Sequence, residues 1–214
     1  KFSNAGQICV SPNRVFVVEA VRDAFTEKVI DRARAAKVGF DKTVDITTGP
    51  VIDARAWTRL KGLVDDAVSE GATLLAGGDR PAGLNAGHYL APTVLTDVTE
   101  TMAVYREETF GPIVSIVPFD TKTDLLRMAN DCEEGGLTAY IFTRNLARAE
   151  HYAASLRYGE IQINGVKYDI NLPHGGIGQS GIGHDCSALA LHDYLVQKRI
   201  TRALDTTTFG GLNP

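Results

Sequence analysis

The sequence predicts an α/β fold with a largely parallel sheet that is covered by helices on both faces. Short runs rich in β-branched and aromatic residues alternate along the chain with segments whose apolar residues recur at helical spacing. The 214 residues are 44% hydrophobic and 22% charged, which is the composition of an ordinary globular protein. This length is enough for one large domain or two small ones.

The first strand and the first two helices are predicted from local patterns. Residues 13–18 are mostly β-branched or aromatic, which indicates a strand. A helix is expected over 20–36, with an apolar face formed by Val21, Phe25, Val29 and Ala33. Asp53 is a suitable N-cap for a second helix, which Gly71 would end. Its expected apolar stripe consists of Leu60, Leu63, Val64, Ala67 and Val68.

The remaining chain continues the alternation of strands and helices. Further strands are predicted at 73–76, 89–95, 113–119, 138–143 and 160–164, and helices at 121–130 and 146–156. Gly165 to Asp185 form a long glycine-rich loop, and loops of this length in a compact domain are usually functional. The tail contains a strand-like run from Tyr194 to Leu204.

The composition argues against several classes of protein. Three cysteines, an odd number, do not make a disulfide framework and favour a reducing compartment, so we expect a cytoplasmic protein. A net charge of -4 without a basic stripe argues against nucleic acid as a partner. The longest apolar runs, such as Ile113 to Phe119, are far shorter than the roughly 20 residues of a membrane span. The cysteines are widely spaced and the five histidines scattered, so we expect no metal site.

The beginning of the chain is unusual. Residues 1–10 contain no Met and no signal-peptide pattern, and they open within an apolar, glycine-containing segment. We therefore expect the chain to be a piece of a longer protein.

Cys9 is the first candidate for chemistry. A reactive cysteine needs its thiolate form, which oriented backbone N–H groups favour, and the small residues Ala5 and Gly6 would leave room for a substrate. The alternative is a buried structural cysteine, which is the commoner fate of a cysteine between apolar residues. Local chemistry leaves both interpretations open.

Two further motifs lie next to predicted strands. Residues 176–181 match the spacing G-x-G-x-x-G, but about a dozen loop residues separate them from the preceding strand, which argues against a dinucleotide fingerprint. In the segment Glu107 to Pro112, two adjacent carboxylates would ordinarily be solvated surface. Gly111 and Pro112 fix a turn, however, and would hold Glu108 and Phe110 at a strand end, where α/β proteins bind ligands.

Together these segments resemble the aldehyde dehydrogenase superfamily. Lys1-Phe-Ser-Asn-Ala-Gly-Gln-Ile-Cys9 is similar to the active-site cysteine segment of that family. Glu107-Glu-Thr-Phe-Gly-Pro112 resembles its E-E-x-F-G-P motif, and residues 173–183 resemble its P-F-G-G-x-K-x-S-G-x-G segment. The three occur in the order of the family with comparable separations, and the similarity covers essentially the whole chain.

The resemblance implies covalent catalysis with NAD or NADP as the cofactor. Cys9 would attack the aldehyde to give a thiohemiacetal whose oxyanion is held partly by the Cys9 N–H, and hydride transfer to the nicotinamide would leave a thioester. Glu108 would bind the ribose hydroxyls of the cofactor, and Phe110 would pack beside the nicotinamide. The family's general-base glutamate and oxyanion-hole asparagine lie upstream of the cysteine, so neither Glu107 nor Glu108 is assigned as the base.

The sequence departs from the family pattern around the substrate pocket. His174 replaces the usual Phe, Gly178 replaces the usual Lys, and Gly183-His-Asp185 replaces Gly-Arg-Glu. The residues that the resemblance places near the substrate entrance are Ser11, Asn164, Lys167, Tyr168 and His174. The cysteine segment and His174 are reminiscent of branches that act on semialdehydes or amino-aldehydes, so we expect a small-molecule aldehyde as the substrate.

The resemblance also divides the chain. Residues 1–190 would form a catalytic domain that is incomplete at its N-terminus, and residues 191–214 an oligomerisation strand and tail. The nucleotide-binding domain would be absent, so the chain alone should not turn over as a dehydrogenase. The full-length enzyme is expected to be a homo-dimer or homo-tetramer, because an unpaired strand needs a partner. Two alternatives remain: a catalytically silent fragment that only folds or assembles, and a thiol esterase that uses Cys9 without a cofactor.

Overall fold

A computed structural model describes residues 1–41, 43, 45–131 and 135–202. The strands are β1 (Arg14–Val18), β2 (Thr73–Ala76), β3 (Thr93–Thr96), β4 (Ile113–Phe119), β5 (Gly135–Gly136), β6 (Thr138–Ile141), β7 (Glu160–Ile163) and β8 (Ile177–Gly178). The helices are α1 (Glu19–Ala35), α2 (Ala54–Ser69), α3 (Ala103–Arg106), α4 (Leu125–Asn130), α5 (Leu146–Ser155) and α6 (Ala190–Asp193). A 3-10 turn at Ser3–Gly6 precedes β1.

The pairing of the strands is mostly parallel, as predicted. The main sheet has four strands in the order β1-β4-β3-β2, in which β1 and β3 run parallel to β4 and β2 runs antiparallel to β3. A second sheet pairs β6 with β7 in parallel, and a third pairs β5 with β8 antiparallel. The expected α/β fold is therefore confirmed, although the pairing is distributed over three sheets.

The core surrounds the two central strands. All four residues of β3 and the first five of β4 are buried, so both faces of these strands are covered. One face packs against α2, whose Leu60 and Val64 join the larger apolar cluster together with Tyr105 and Ile113. The other face packs against α1, with Ala33 buried in the smaller cluster.

Helix α2 follows the prediction closely. The Asp53 side chain accepts a hydrogen bond of 2.8 Å from the Ala56 N–H and caps the helix as expected. At the other end, Gly71 has φ +108, and the N–H of Ala72 donates to the Ala67 carbonyl in a Schellman-type arrangement. The predicted stripe is buried except for Val68, which is 42% exposed at the last turn of the helix.

Several predicted elements differ from the structure. The apolar face expected for α1 is wrong in its first half, because Val21 is 51% exposed and Thr26 is buried instead. Helix α4 begins at Leu125 rather than near 121, since the Asp124 side chain caps the backbone there. The strand predicted over 89–95 shortens to β3, because Pro92 cannot donate to the ladder. Helix α3 and the short strands β5 and β8 were not predicted.

The tail is only partly described. Residues 195–202 form neither a helix nor a paired strand, whereas the prediction placed a strand over 194–204. The last two residues of that predicted strand, the rest of the tail to residue 214, and Cys132 lie outside the described residues. Among the described helices, none combines the length and apolar character needed to cross a membrane.

Candidate active site

Cys9 lies on an exposed turn just after the 3-10 segment. The preceding backbone is left-handed at three successive residues, with φ of 50° at Asn4, 53° at Ala5 and 69° at Gly6. Such a conformation is costly outside glycine and is kept where the surrounding structure fixes it. Within this chain Cys9 is exposed, unlike a buried structural cysteine, and its thiol is accessible.

Several contacts hold the Cys9 turn in place. The Gln7 side chain accepts a hydrogen bond of 2.9 Å from the Ile52 N–H. The Tyr140 hydroxyl, on β6, donates to the Val10 carbonyl at 2.9 Å. Gly6 packs directly on Gly111, so that a Cβ atom at Gly6 would collide with the Gly111 carbonyl. The turn is therefore tied both to β6 and to the loop that follows α3.

That second loop contains Glu108 and Phe110. The Asn13 side chain donates to the Glu107 carbonyl at 2.7 Å and accepts from the Thr109 N–H at 2.8 Å. Arg59 on α2 donates to the Glu108 carbonyl at 3.2 Å. Because these contacts hold the backbone, the exposed side chains of Glu108 and Phe110 are presented from a fixed loop.

Glu108 and Phe110 are residue types that suit the binding of a nicotinamide cofactor. An ionised carboxylate such as Glu108 accepts hydrogen bonds from ribose hydroxyls. Phe110 has φ of 43° and is 42% exposed, so an aromatic ring stands at the surface next to Gly111, on which Gly6 packs. These two side chains would hold the ribose and the nicotinamide ring, respectively.

Lys1 provides the main electrostatic feature of this region. Its ammonium donates to the Thr109 hydroxyl at 3.1 Å. Burial lowers the pKa of Lys1 to about 8, while the nearby charge of Glu108 opposes that shift.

The strands β6 and β7 present a polar face to the Cys9 turn. Thr138 and Tyr140 on β6 are in register with Glu160 and Gln162 on β7. Side chains two residues apart share a face of a strand, so these four polar groups lie together. Burial raises the pKa of Tyr140, and the charges of Glu160 and Cys9 raise it further. The charges of both the cysteine and the carboxylate therefore act on Tyr140.

His174 joins this polar face. Its Nδ1 lies 3.1 Å from Glu160 Oε2, and its ring packs edge-on against Tyr168 with the ring centroids 5.8 Å apart. The Tyr168 hydroxyl contacts the Cys186 sulfur at 2.9 Å. Contacts thus run continuously from the Cys9 turn through Tyr140 and the polar face to His174 and Tyr168.

The other predicted pocket residues are engaged differently. The Asn164 side chain binds both the N–H and the carbonyl of Thr143 at 2.8 Å and holds the ends of β6 and β7 together. The Lys167 ammonium is exposed and lies 3.4 Å from Asp169. Ser11 follows Cys9 and donates its N–H to the Ile8 carbonyl, which closes the turn. Their roles toward a substrate remain predictions.

Some of the residues that build the site were not predicted from the sequence. Glu160, Gln162, Thr138 and Tyr140 could have been found from the alternation of polar and apolar residues in Thr-Ala-Tyr-Ile and Glu-Ile-Gln-Ile. Asn13 and Arg59 carry no local signal, because each binds a loop that is distant in sequence. The G-x-G-x-x-G segment forms β8 and pairs with β5, so it is not the strand-to-helix turn of a dinucleotide fingerprint.

Comparisons with known proteins identify the family of the chain. Residues 1–200 match the model of the aldehyde dehydrogenase family. The chain is 39% identical over 196 residues to glutarate-semialdehyde dehydrogenase of Pseudomonas putida, covering 91% of the chain and 40% of that relative. It is 41% identical over 199 residues to a probable NADP+ succinate-semialdehyde dehydrogenase of Sinorhizobium fredii, covering 92% of the chain and 40% of that relative.

Solved structures of aldehyde dehydrogenases are also similar to this chain. The succinate-semialdehyde dehydrogenase from Burkholderia pseudomallei superposes with a TM-score of 0.87 at 40% identity, over 92% of this chain and 40% of that one. The Mycobacterium tuberculosis aldehyde dehydrogenase complexed with NAD+ gives a TM-score of 0.84 at 33% identity, over 90% and 40% of the two chains. The chain spans about 40% of the length of the curated relatives it matches. The chain belongs to the aldehyde dehydrogenase family.

Proposed function

We propose that this chain is the cysteine-bearing catalytic part of an NAD(P)-dependent dehydrogenase that oxidises a small aldehyde to a carboxylic acid. The observation that carries the proposal is the packing of Gly6 on Gly111, which joins the exposed Cys9 turn to the loop that presents Glu108 and Phe110. A nucleophile and a cofactor-binding loop that meet at one point are what hydride removal from a bound aldehyde requires.

The chemistry of the proposed reaction begins at Cys9. The Cys9 thiolate attacks the aldehyde carbon and forms a thiohemiacetal. Within the described residues, the Cys9 N–H donates to no protein acceptor, so it is available to stabilise the developing oxyanion. After oxidation the acyl group remains on the sulfur as a thioester, and hydrolysis of that thioester releases the acid and regenerates the thiol.

The cofactor side of the site is formed by Glu108 and Phe110. Bound NAD+ or NADP+ supplies a hydride acceptor. Glu108 orients the ribose through hydrogen bonds, and Phe110 limits the position of the ring and excludes water from that side. The backbone contacts from Asn13 and Arg59 keep both side chains in this arrangement.

The substrate is proposed to be a small aldehyde with a polar tail. The relatives are named as dehydrogenases of glutarate semialdehyde, succinate semialdehyde and betaine aldehyde. The polar face near Cys9 supports a tail that carries a hydrogen-bonding group, as a semialdehyde or an amino-aldehyde does. A contribution of Ser11, Asn164, Lys167 and Tyr168 to the entrance is part of this proposal.

The assembly of the enzyme is proposed on separate grounds. Residues 1–190 would act as the catalytic domain and the segment from 191 would pair with another subunit, giving a cytoplasmic homo-oligomer. Supporting this, several apolar side chains near the end of the described chain are exposed, namely Leu191, Tyr194, Leu195, Val196 and Ile200.

The proposal is tested by aldehyde-dependent reduction of NAD+ or NADP+ in the intact enzyme expressed from its complete gene. Replacement of the nucleophile in Cys9→Ala should lower kcat by roughly a thousandfold or more. Cys186→Ala is the matched control and should retain kcat within a few-fold, because that thiol is not proposed to react.

The other outcomes of this experiment would overturn the proposal or favour one of the two alternative functions. Full activity in Cys9→Ala would overturn the proposal. Cys9-dependent hydrolysis of an ester without any aldehyde oxidation would favour the thiol esterase. A folded intact enzyme that is inactive toward all aldehydes and esters would favour the silent role in folding or assembly.

A further inference from the structure

The pair formed by His174 and Glu160 has features that the proposed reaction does not use. The side chains are 17% and 21% exposed, so this ionisable pair is largely withdrawn from water. Withdrawing such groups from water is costly unless they are paired and hydrogen-bonded. The position of His174 is also where the sequence departs from the family pattern, which has Phe there.

Glu160 is almost fully occupied by donors from the protein. Its Oε2 accepts from His174 Nδ1 at 3.1 Å and from the Thr138 hydroxyl at 3.3 Å, and its Oε1 accepts from Gln162 Nε2 at 2.6 Å. A carboxylate offers about four acceptor positions, so only one is left. Glu160 is therefore suited to orienting His174 and poorly suited to binding a cationic substrate by itself.

His174 is held in one orientation. The backbone N–H of His174 donates to the Asp185 carbonyl at 2.8 Å, and the backbone N–H of Asp185 donates to the His174 carbonyl at 2.7 Å. Gly159 and Gly175 are packed so closely that a Cβ atom at Gly159 would collide with the Gly175 carbonyl, which brings the start of β7 against the residue after His174. Together with the edge-on ring of Tyr168, these contacts fix the imidazole before any ligand arrives.

The remaining ring nitrogen of His174 is available to a ligand. In the part of the chain that the structure describes, Nε2 has no hydrogen-bond partner, while Nδ1 is bound to Glu160. In the imidazolium form both ring nitrogens carry a proton, so Nδ1–H donates to Glu160 and Nε2–H can donate to an anion. Tyr140 connects the polar face to the Cys9 turn, since its hydroxyl binds the Val10 carbonyl and its strand is in register with the strand of Glu160.

We propose that His174, oriented by Glu160, binds the carboxylate tail of a semialdehyde whose aldehyde group lies at Cys9. This inference rests on the proposed function and assigns the anionic class of substrate to one residue. His174 is the specificity-determining residue, and Glu160 is a positioning residue that acts through it. Where His174 binds as the imidazolium, a cationic amino-aldehyde is disfavoured, because the carboxylate is already occupied and Nε2–H is a donor.

The test compares aldehydes of equal length in the intact enzyme with saturating NAD+ or NADP+. Succinate semialdehyde carries the carboxylate, butanal lacks it, and 4-aminobutanal carries a cation instead. The variants are His174→Phe and Glu160→Gln, with His151→Phe as the control, because His151 is an exposed residue of α5.

The expected result is a change in specificity. His174→Phe should lower kcat/KM for succinate semialdehyde by roughly ten- to a hundredfold, mainly through KM, because a hydrogen bond to a charged group is lost. Butanal should change by no more than about threefold, as expected when only uniform binding of the tail is removed. Glu160→Gln should give a smaller loss in the same direction, and His151→Phe should change neither substrate.

A binding measurement on the unmodified enzyme keeps the proposal falsifiable if a variant does not fold. Succinate should inhibit butanal oxidation competitively with the aldehyde, and His174→Phe or Glu160→Gln should weaken this inhibition. Absence of inhibition in the unmodified enzyme, an equal loss for both aldehydes, or a preference for 4-aminobutanal would overturn the inference.

The failure of the inference can be distinguished from failure of the proposed function. If all three aldehydes are oxidised in a Cys9-dependent reaction but the ratio of their kcat/KM values does not depend on His174, only the inference fails. If none of them is oxidised by the folded unmodified enzyme, the proposed function fails as well.

Discussion

The two parts of the molecule that flank residues 132–134 are stabilised in different ways. Among the described residues, every buried hydrophobic side chain except Ala149 lies within residues 1–131. There, two apolar clusters surround β3 and β4. Residues 135–202 are instead joined by polar contacts, such as those among Glu160, His174 and Asn164.

This difference separates the proposed roles. The Cys9 turn and the loop of Glu108 and Phe110 are attached to the buried part, whose close packing keeps reacting groups in place. The polar part carries the residues proposed to recognise the substrate tail. Substitutions in the first part should therefore reduce stability, whereas substitutions on the polar face should change substrate preference.

The largest expected loss of stability comes from Leu60. This side chain is fully buried and packs against Gly111, where a Cβ atom would collide with it. Leu60→Ala should lower the free energy of unfolding by about 2–5 kcal/mol, through lost burial and a cavity. Val68→Ala on the same helix is the control and should cost well under about 1 kcal/mol, because Val68 is 42% exposed. If Leu60→Ala and Val68→Ala lowered the free energy of unfolding in urea equally, the account of a tightly packed core in residues 1–131 would be contradicted.

Arg14 is expected to couple the two parts. Its guanidinium donates to the Met128 and Ala129 carbonyls at the end of α4 and to the Tyr158 hydroxyl at 2.9 Å. Arg14→Met would leave these acceptors without that donor, so unfolding should become easier by about 2–3 kcal/mol. Amide hydrogen exchange should then also increase in residues 135–202.

The control for Arg14 is Arg22→Met. Arg22 forms an exposed ion pair with Glu19, and exposed pairs contribute little to stability. If Arg14→Met destabilises no more than this control, or if exchange increases only in residues 1–131, Arg14 does not connect the two parts.

Lys1 is expected to make the stability of the chain depend on pH. Its pKa in the folded chain is lowered to about 8 by burial, against an ordinary value of 10.5. Between these values the unfolded chain holds a proton that the folded chain has released, so the free energy of unfolding rises with pH. Between about pH 8 and 10.5, the free energy of unfolding of the unmodified chain should therefore rise relative to that of Lys1→Met. A difference that is flat across this range would contradict the burial of the ammonium.

The sequence predicted the parts of the structure that depend on local patterns. Asp53 and Gly71 mark the ends of α2 because capping is decided within a few residues. The segments around Cys9 and Glu108 were recognised from their motifs. The face of α1 was predicted incorrectly, because the side of a helix that is buried depends on which strands it packs against.

The polar part was harder to predict. The contact between Glu160 and His174 depends on the packing of Gly159 on Gly175, and the clamp made by Asn13 depends on a loop 94 residues away in sequence. Neither leaves a periodic or compositional signal. The alternation of polar and apolar residues in β6 and β7 is a local signal for a polar face, although the sequence prediction did not use it. The direction of that face depends on a long-range contact, the hydrogen bond from the Tyr140 hydroxyl to the Val10 carbonyl.

The central claim is that Cys9 forms the covalent bond with the substrate, and the most direct measurement is the mass of its peptide during turnover. The intact enzyme is quenched in acid while it oxidises an aldehyde, and the peptides that contain Cys9 and Cys186 are analysed by mass spectrometry. The account predicts an acyl group on Cys9 and none on Cys186. Turnover without any adduct on Cys9, together with retained activity in Cys9→Ala, would contradict it.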